Sequence, residues 1–416
     1  MKLEHIKDLI QSCNLNFLIG SGTSNPYLST LGNIEIVLTE IEKQEVEDDF
    51  DRIIKASLYK KYCEDVIFKN LYSVINKFKV EYFEKGKEDD DIDGDKYLQY
   101  EHVFDSYKNL LLNINEILLF RNNNLLTKQV NLFTTNIDLF LEKILEQTNL
   151  EFNDGFKGRT EPVYDLSNFQ KSYSKTSLHY DNISEIPVFN LLKMHGSINW
   201  GQSSERKIIF KNNLRHITSV QKELKKISED FFIEIEGSEE YDNLYEKASE
   251  IKIDKEKIFD SFFDEYSNLI IINPTKEKFK RTVMDEEYYE LLRIYANSLE
   301  KENTVLLVIG FSFADEHIRN VTIRAANSNP TLQIIIFLYK DEELEDLSSK
   351  FKDVRNNNVQ LISPKLFVEK NKEYDEKLNL RREKLSERVQ NFDCKTISEE
   401  IFGVIKDMIR YPYVAR

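Results

Sequence analysis

Short unbroken runs of apolar residues alternate along much of the chain with stretches in which apolar residues recur at helical spacing. The runs are rich in Val, Ile and Leu and end in polar turns, a pattern typical of parallel strands buried on both faces. The predicted strands are 15–19, 130–134, 150–152, 188–194, 269–272, 305–309 and 332–338. The predicted helices are 1–13, 139–147, 286–299 and 316–327. This alternation predicts an α/β fold, with a parallel sheet covered by helices.

Three segments depart from this alternation. Residues 41–126 carry apolar residues at helical spacing between charged ones, which predicts a helical insertion domain. Within it, the acidic run 84–95 is either a solvated loop or a contact surface for a partner. Residues 201–264 are a charged insertion of mixed character, and 346–416 form a C-terminal segment with one or two charged helices. The predicted Rossmann-like core therefore comprises 1–40, 127–200 and 265–345.

Composition and charge exclude several classes of function. The chain has 416 residues and a formal net charge of −16, which argues against sequence-independent binding to DNA or RNA. No apolar run has the length of a membrane span, and the N-terminal helix is too polar for a signal peptide. Cys13, Cys63 and Cys394 form no CxxC pair. We therefore expect reduced thiols, no structural zinc and a cytoplasmic protein.

The first predicted strand ends in Gly20-Ser-Gly-Thr-Ser24. Two glycines spaced one apart let the backbone turn sharply and approach a pyrophosphate, and Thr23 or Ser24 can cap a following helix. The third glycine of the usual dinucleotide fingerprint is missing, because Asn25 stands in its place. Taken alone, the stretch is either a nucleotide site or an ordinary strand-to-helix turn.

Three later strands also end in polar residues: Thr135-Asn-Ile-Asp138, His195-Gly-Ser197 and Gly310-Phe-Ser312. Each has a structural alternative. Asn136 could cap the helix near residue 139, Asp138 could be a first-turn acid, and His195 could be a buried core histidine. Ser312 and Asp315 could simply begin a helix. Because the carboxyl ends of parallel strands meet at one edge of a sheet, the four turns together predict a ligand site.

In their order along the chain, these motifs resemble those of the sirtuin-like (silent information regulator two-like) family, which runs GxGxS, T-x-N-x-D, H-G and G-x-S. The nearest resemblance is to the bacterial sirtuin-like proteins of anti-phage defence. Those proteins share the stretches found here at Lys193–Trp200, Pro274–Lys276 and Gly310–Ile318. The Gly-Ile-Pro-Asp-Phe-Arg stretch and the four zinc cysteines of deacylase sirtuins are absent from this sequence, and residues 201–264 stand where the zinc module would lie.

The resemblance implies an enzyme that cleaves NAD at its nicotinamide–ribose bond, with water as acceptor and without a metal. By the same resemblance, His195 is the expected base, and Asn136 is expected to hold the ribose or the water. Asp138 is expected to hold the nicotinamide side or to stabilise developing positive charge. The residues expected to bind NAD are Gly20, Ser21, Gly22, Thr23, Ser24, Thr135, Gly310, Phe311 and Ser312.

The resemblance also implies a homo-oligomer that pairs with a HerA-type hexameric ATPase and acts as a regulated effector of defence by depleting NAD. Two alternatives stay open. The chain could be a non-catalytic module that binds NAD or ADP-ribose and regulates a partner, or it could be an NAD-dependent deacylase.

Overall fold

The computed structural model describes residues 1–30, 32, 34–43, 48–71, 94–121, 126–179, 181–251, 257–272, 283–373 and 384–411. The predicted acidic loop, except for its last two residues, and the Pro274–Lys276 stretch lie outside these described residues. Within the described ranges, no helix is both long enough and apolar enough to cross a membrane.

The strands are short, and most of the longer ones are buried along their length. They are β1 (Asn14–Ile19), β2 (Gln129–Thr134), β3 (Phe152–Asn153), β4 (Phe156–Lys157), β5 (Val163–Tyr164), β6 (Ser174–Thr176), β7 (Ile183–Glu185), β8 (Val188–Lys193), β9 (Trp200–Gln202), β10 (Ile208–Phe210), β11 (Thr304–Ile309), β12 (Gln333–Phe337) and β13 (Val359–Ile362).

Seven of these strands form one sheet in the order β13–β12–β11–β1–β2–β8–β3, and each neighbouring pair is parallel. In the register at the centre of the sheet, Phe17 of β1 lies beside Leu307 of β11 and Leu132 of β2. After β8 the chain crosses to β11, on the other side of β1. The turns after β1 and β11 therefore meet where the strand order reverses, the place where open α/β sheets bind ligands. The predicted Rossmann-like α/β fold is confirmed.

Helices cover both faces of this sheet. They are α1 (Leu3–Ser12), α2 (Ile34–Glu42), α3 (Asp49–Tyr62), α4 (Gly94–Leu119), α5 (Phe140–Gln147), α6 (Arg215–Leu224), α7 (Tyr241–Ser249), α8 (Asp260–Ser267), α9 (Val283–Glu300), α10 (Glu316–Ser328), α11 (Leu344–Lys350), α12 (Pro364–Lys370), α13 (Leu385–Arg388), α14 (Cys394–Thr396) and α15 (Val404–Arg410). A π-helical stretch, Ile397–Gly403, joins α14 to α15.

Successive side chains of β1 enter different cores, as expected for a strand with alternating faces. Phe17 and Ile19 pack with residues of α1, α4, α5 and the C-terminal helices, and the ring of Phe17 lies 5.6 Å from that of Phe402. Leu18 packs on the opposite face with residues of α9 and α10. Burial on both faces explains why the sequence of this strand is a continuous apolar run rather than an alternating one.

A third core joins α2 and α3 to the segment that contains α6, α7 and α8. Here the ring of Tyr59 stacks on that of Tyr266 at a centroid distance of 4.3 Å, and the amide of Ile233 donates to Ser57 Oγ at 3.0 Å. Parts of the two predicted insertions, 41–126 and 201–264, therefore share one core. Helix α4, in contrast, packs on the sheet. The predicted domain boundaries stay a prediction.

Two local predictions are wrong. The run 269–272 is not a strand of the sheet, because it makes only an isolated antiparallel bridge between Ile271 and Gly196. Neither Thr23 nor Ser24 caps a helix in the part of the chain that the structure describes, because both lie inside a 3₁₀ turn, Ser21–Ser24, whereas α2 begins at Ile34.

Candidate active site

The turns that follow β1, β2, β8 and β11 enclose a cleft of about 580 Å³ at the carboxyl edge of the sheet. That volume lies in the range typical of small-molecule sites. Every residue predicted to act in catalysis or to bind NAD lines this cleft, with the single exception of Gly20. The structure therefore brings together residues that are up to about 290 positions apart in the sequence.

The turns after β1 and β11 are in direct contact, and glycine is required on both sides. A Cβ atom on Gly20 would lie 2.4 Å from the carbonyl oxygen of Gly310. Gly310 has a φ of +61°, and a Cβ atom there would lie 2.5 Å from the amide nitrogen of Thr23. Only glycine combines this conformation with this close approach.

Three amides of the glycine turn donate to backbone carbonyls. Gly20 N donates to Ile309 O at 3.0 Å, Gly22 N to Gly310 O at 3.0 Å, and Thr23 N to Gly20 O at 3.1 Å. If Gly22 and Thr23 bind a diphosphate through their amides, these amides must first leave their carbonyl partners. Their assignment to NAD stays a prediction.

The hydroxyls of Thr23 and Ser24 point into the protein instead of capping a helix. Thr23 Oγ1 lies 2.5 Å from the hydroxyl of Tyr107 and donates to Gly20 O at 2.5 Å. Ser24 Oγ donates to Asp138 Oδ2 at 2.8 Å. Both side chains are at most 2% exposed. They connect the glycine turn to α4 and to the turn after β2.

Asn136 does not cap α5, whose N-cap is Leu139 without a side-chain hydrogen bond. Its Nδ2 is turned toward the glycine turn and donates to Gly20 O at 3.1 Å, with further oxygen atoms of Thr23, Ser24 and Tyr107 at 3.3–3.4 Å. Its Oδ1 is buried and has no hydrogen-bond partner among the residues that the structure describes. Asn136 lines the cleft, and its buried amide therefore has an unpaired acceptor.

Asp138 is held at both carboxylate oxygens. Oδ2 accepts from Ser24, and Oδ1 accepts from the amide of Phe140 at 3.1 Å, at the start of α5. The carbonyl oxygen of Asp138 accepts from Lys193 Nζ. Lys193 in turn forms a buried ion pair with Glu142, with Nζ 3.1 Å from Oε1. These contacts hold the turn after β2 in place.

His195 follows β8, and its Nε2 lies 3.1 Å from Oδ2 of Asp315. The other oxygen of Asp315 caps α10 by accepting from the amides of His317 and Ile318 at 2.9 and 3.2 Å. The main chain at His195 is also fixed, since its carbonyl accepts from the amide of Ile272 at 2.9 Å. Asp315 is therefore both a helix cap and the partner of the histidine.

The cleft has an acidic lining. Its charged side chains among the described residues are Glu35, Asp138, Asp315, Glu343 and Asp346, and no lysine or arginine is among the described lining residues. A cluster of carboxylates favours a ligand that carries or develops positive charge. It disfavours an anion unless backbone amides or hydroxyls bind it.

Burial raises the pKa of the Tyr288 hydroxyl, and the nearby Asp315 carboxylate raises it further. The ring of Tyr288 lies 5.8 Å from that of His195, measured between centroids. Tyr288 is therefore a neutral donor beside the His195–Asp315 pair at physiological pH.

The sequence did not single out Tyr107, Lys193, Glu142 or Tyr288 as site residues. Asp315 was noted only as a helix start, although an acid shortly after a strand end could have been paired with the histidine of a neighbouring strand. Tyr107 gave no signal, because nothing in its spacing distinguishes it from the other apolar positions of α4. Among the described residues, no group of three or more His, Cys, Asp or Glu side chains could hold a metal ion.

The parallel sheet and the cleft at the point where the strand order reverses define a Rossmann-like protein. Residues 130–362, more than half of the chain, match the model of the SIR2-like domain. The chain belongs to this SIR2-like family. The family uses NAD, and a function related to NAD follows for this chain. A search of curated proteins finds no significant match.

Proposed function

We propose that the chain is an NAD⁺ glycohydrolase that breaks the nicotinamide–ribose bond and yields nicotinamide and ADP-ribose. The observation that carries this proposal is the unpaired Oδ1 of Asn136 in a cleft that His195 also lines. A buried carbonyl oxygen without a donor costs roughly 1–3 kcal/mol. A ribose hydroxyl or a bound water would supply that donor.

His195 is the proposed base. With Nε2 protonated and donating to Asp315, the neutral imidazole has Nδ1 as its basic nitrogen. His195 takes one proton from the attacking water, whose oxygen forms the new bond to ribose C1′. The C1′–N bond breaks at the same time, and its electron pair goes to the nicotinamide nitrogen. Because that ring is cationic before cleavage and neutral after it, no acid is needed for the leaving group.

The acidic lining supports this chemistry. Positive charge develops on the ribose as the bond breaks, and the carboxylates of Asp138 and Asp315 lie in the same cleft. Ser24 and the amide of Phe140 hold the Asp138 carboxylate in place before the substrate arrives. A preorganised carboxylate of this kind needs little rearrangement during the reaction.

The test is to incubate the purified chain with NAD and to quantify nicotinamide and ADP-ribose by chromatography. We expect His195→Ala and Asn136→Ala to lower nicotinamide release by about 100-fold or more. His179→Ala is the matched control, because His179 is exposed in the turn between β6 and β7, and it should retain full activity.

Other outcomes favour the alternatives. Binding of NAD or ADP-ribose without turnover would replace the hydrolase with a regulatory binding module. Loss of acetyl groups from an added acetyl-lysine peptide, with NAD consumed in equal amount, would favour a deacylase. Full activity in both alanine variants would contradict the roles given to Asn136 and His195.

We further propose that this activity serves bacterial anti-phage defence, by depletion of NAD in the cytoplasm, in a homo-oligomer paired with a HerA-type ATPase. The support is the resemblance of Lys193–Trp200 and Gly310–Ile318 to sirtuin-like defence proteins. Light scattering of the chain alone, followed by co-purification with a HerA-type ATPase encoded beside it, tests this part. A monomer that does not bind the ATPase, and whose turnover the ATPase does not change, would contradict it.

A further inference from the structure

Tyr107 of helix α4 contacts the candidate active site. This residue is fully buried and lies outside the 130–362 range of the family match. Its hydroxyl is 2.5 Å from Thr23 Oγ1, 3.1 Å from Ser24 Oγ and 3.3 Å from Asn136 Nδ2. Tyr107 is absent from the cleft lining, so it contacts the polar residues of the site on the side that faces away from the cleft.

The protons of this cluster can be assigned by elimination. Thr23 donates its one hydroxyl proton to Gly20 O, and Ser24 donates its own to Asp138. Neither hydroxyl has a second proton, so the proton between Tyr107 and Thr23 belongs to Tyr107. The oxygen of Tyr107 therefore keeps its lone pairs for Nδ2 of Asn136.

This arrangement determines which way the Asn136 amide faces. An asparagine side chain can rotate so that its oxygen and nitrogen exchange places, and the surrounding hydrogen bonds decide between the two states. Around Nδ2 the atoms in reach are all acceptors. Rotation would place Oδ1 against the carbonyl of Gly20 and against a tyrosine oxygen whose proton is already used. The rotated state is therefore disfavoured, and Oδ1 stays unpaired.

We propose that Tyr107 is a positioning residue for Asn136, which holds the amide so that Oδ1 can accept a hydrogen bond from the ligand. Burial and the nearby Asp138 carboxylate raise the pKa of Tyr107 well above its usual value, so its hydroxyl stays protonated. The reaction assay rests on the proposed function, whereas the binding assay requires only that the site takes ADP-ribose.

The variant Tyr107→Phe removes the hydroxyl and keeps the ring, which lies 5.8 Å from that of Phe140 in a near-parallel stack. We expect kcat to fall by about tenfold and KM to change less, because Oδ1 of Asn136 is proposed to act on the ribose or the attacking water. A purely structural role would instead lower the thermal midpoint and leave kcat of the folded enzyme unchanged.

The deciding experiment combines this variant with Asn136→Ala. Nicotinamide release and the Kd of ADP-ribose, by calorimetry, are measured for the wild type, both single variants and the double variant. Tyr100→Phe is the control, because Tyr100 stacks on the same Phe140 ring but lies two turns, about 10 Å, away along α4. Thr23→Val, which removes the acceptor of the Tyr107 proton, should reproduce the losses of Tyr107→Phe.

Loss on Tyr107→Phe in the wild type, and no further loss in the Asn136→Ala background, supports the proposal. Equal losses in both backgrounds overturn it. A Tyr107→Phe variant whose kcat and Kd equal those of the wild type also overturns it. If none of the four proteins releases nicotinamide but the wild type binds ADP-ribose, the proposed function fails. The role of Tyr107 is then decided from the Kd values of ADP-ribose, compared in the two backgrounds in the same way. A wild type that neither turns over NAD nor binds ADP-ribose overturns both.

Discussion

Replacing Lys193 with methionine tests the buried ion pair beneath the candidate active site. The side chains of Lys193 and Glu142 are 3% and 13% exposed, and Nζ lies 3.1 Å from Oε1. Burial raises the pKa of Glu142, although Lys193 opposes this effect. Without the lysine, Glu142 would keep only the Ser197 hydroxyl at 3.4 Å among its described side-chain partners, and the Asp138 carbonyl would lose its Lys193 donor.

Breaking a buried ion pair by removing one partner costs about 3–5 kcal/mol, since the remaining charge is left buried without compensation. An unfolding entropy of about 2.1 cal/mol/K per residue, taken over 416 residues, gives ~0.9 kcal/mol/K for cooperative unfolding. Lys193→Met should therefore lower the thermal midpoint by about 3–6 °C in a calorimetric scan.

The double variant Lys193→Met/Glu142→Leu should recover most of this loss, because it removes both charges of the pair. Lys207→Met is the control, since the Lys207–Glu205 pair is exposed and its removal should leave the midpoint unchanged. A single variant within about 1 °C of the wild type, or a double variant as unstable as the single one, would refute this reasoning.

Two further substitutions test the close approach of the turns and a buried histidine. Gly310→Ala should cost at least about 1–2 kcal/mol through its φ of +61° and should abolish nicotinamide release, because the new Cβ displaces Thr23. Gly237→Ala is the control, because Gly237 also has a positive φ, +95°, but a Cβ there would have its nearest neighbour, Lys61 Cε, at 3.9 Å. This variant has the backbone strain without a steric clash and should keep its nicotinamide release. Burial lowers the pKa of His216 below 6.5. The unfolded state therefore binds more protons just below pH 6.5, so stability is full above that pH and falls as the pH drops. His216→Gln should weaken the dependence of the urea midpoint on pH between pH 5 and 8. An unchanged dependence on pH would contradict this role of His216.

The sheet could be predicted from the sequence because strands buried on both faces are continuous apolar runs. The same rule failed at 269–272, where the run is apolar but lies against Gly196 through a single bridge. Such a pattern records burial and does not say which neighbour covers the segment. Strand β13 was missed for the opposite reason, since three of the four residues Val359–Ile362 are only partly buried and the run is short.

The residues that line the cleft could be predicted because parallel topology places successive strand ends at one edge. The interactions among them could not be predicted. His195 and Asp315 are 120 positions apart, and Tyr107 is 29 positions before Asn136 on a helix with its own apolar pattern. Such pairs depend on how helices pack on the sheet, and periodicity within one element carries no information about that packing.

The carbonyl oxygen of Gly20 lies between the glycine turn and the proposed catalytic amide. The carbonyl oxygen of Gly20 accepts from Thr23 N at 3.1 Å, Thr23 Oγ1 at 2.5 Å and Asn136 Nδ2 at 3.1 Å. If the Thr23 amide turns toward a diphosphate, it must leave this oxygen, and the contacts of Asn136 with the same oxygen then change. If the phosphates bind there, their binding and the orientation of Asn136 would be coupled through Gly20. Tyr107 contacts both Thr23 and Asn136, so a displacement of helix α4 would act on the same two groups.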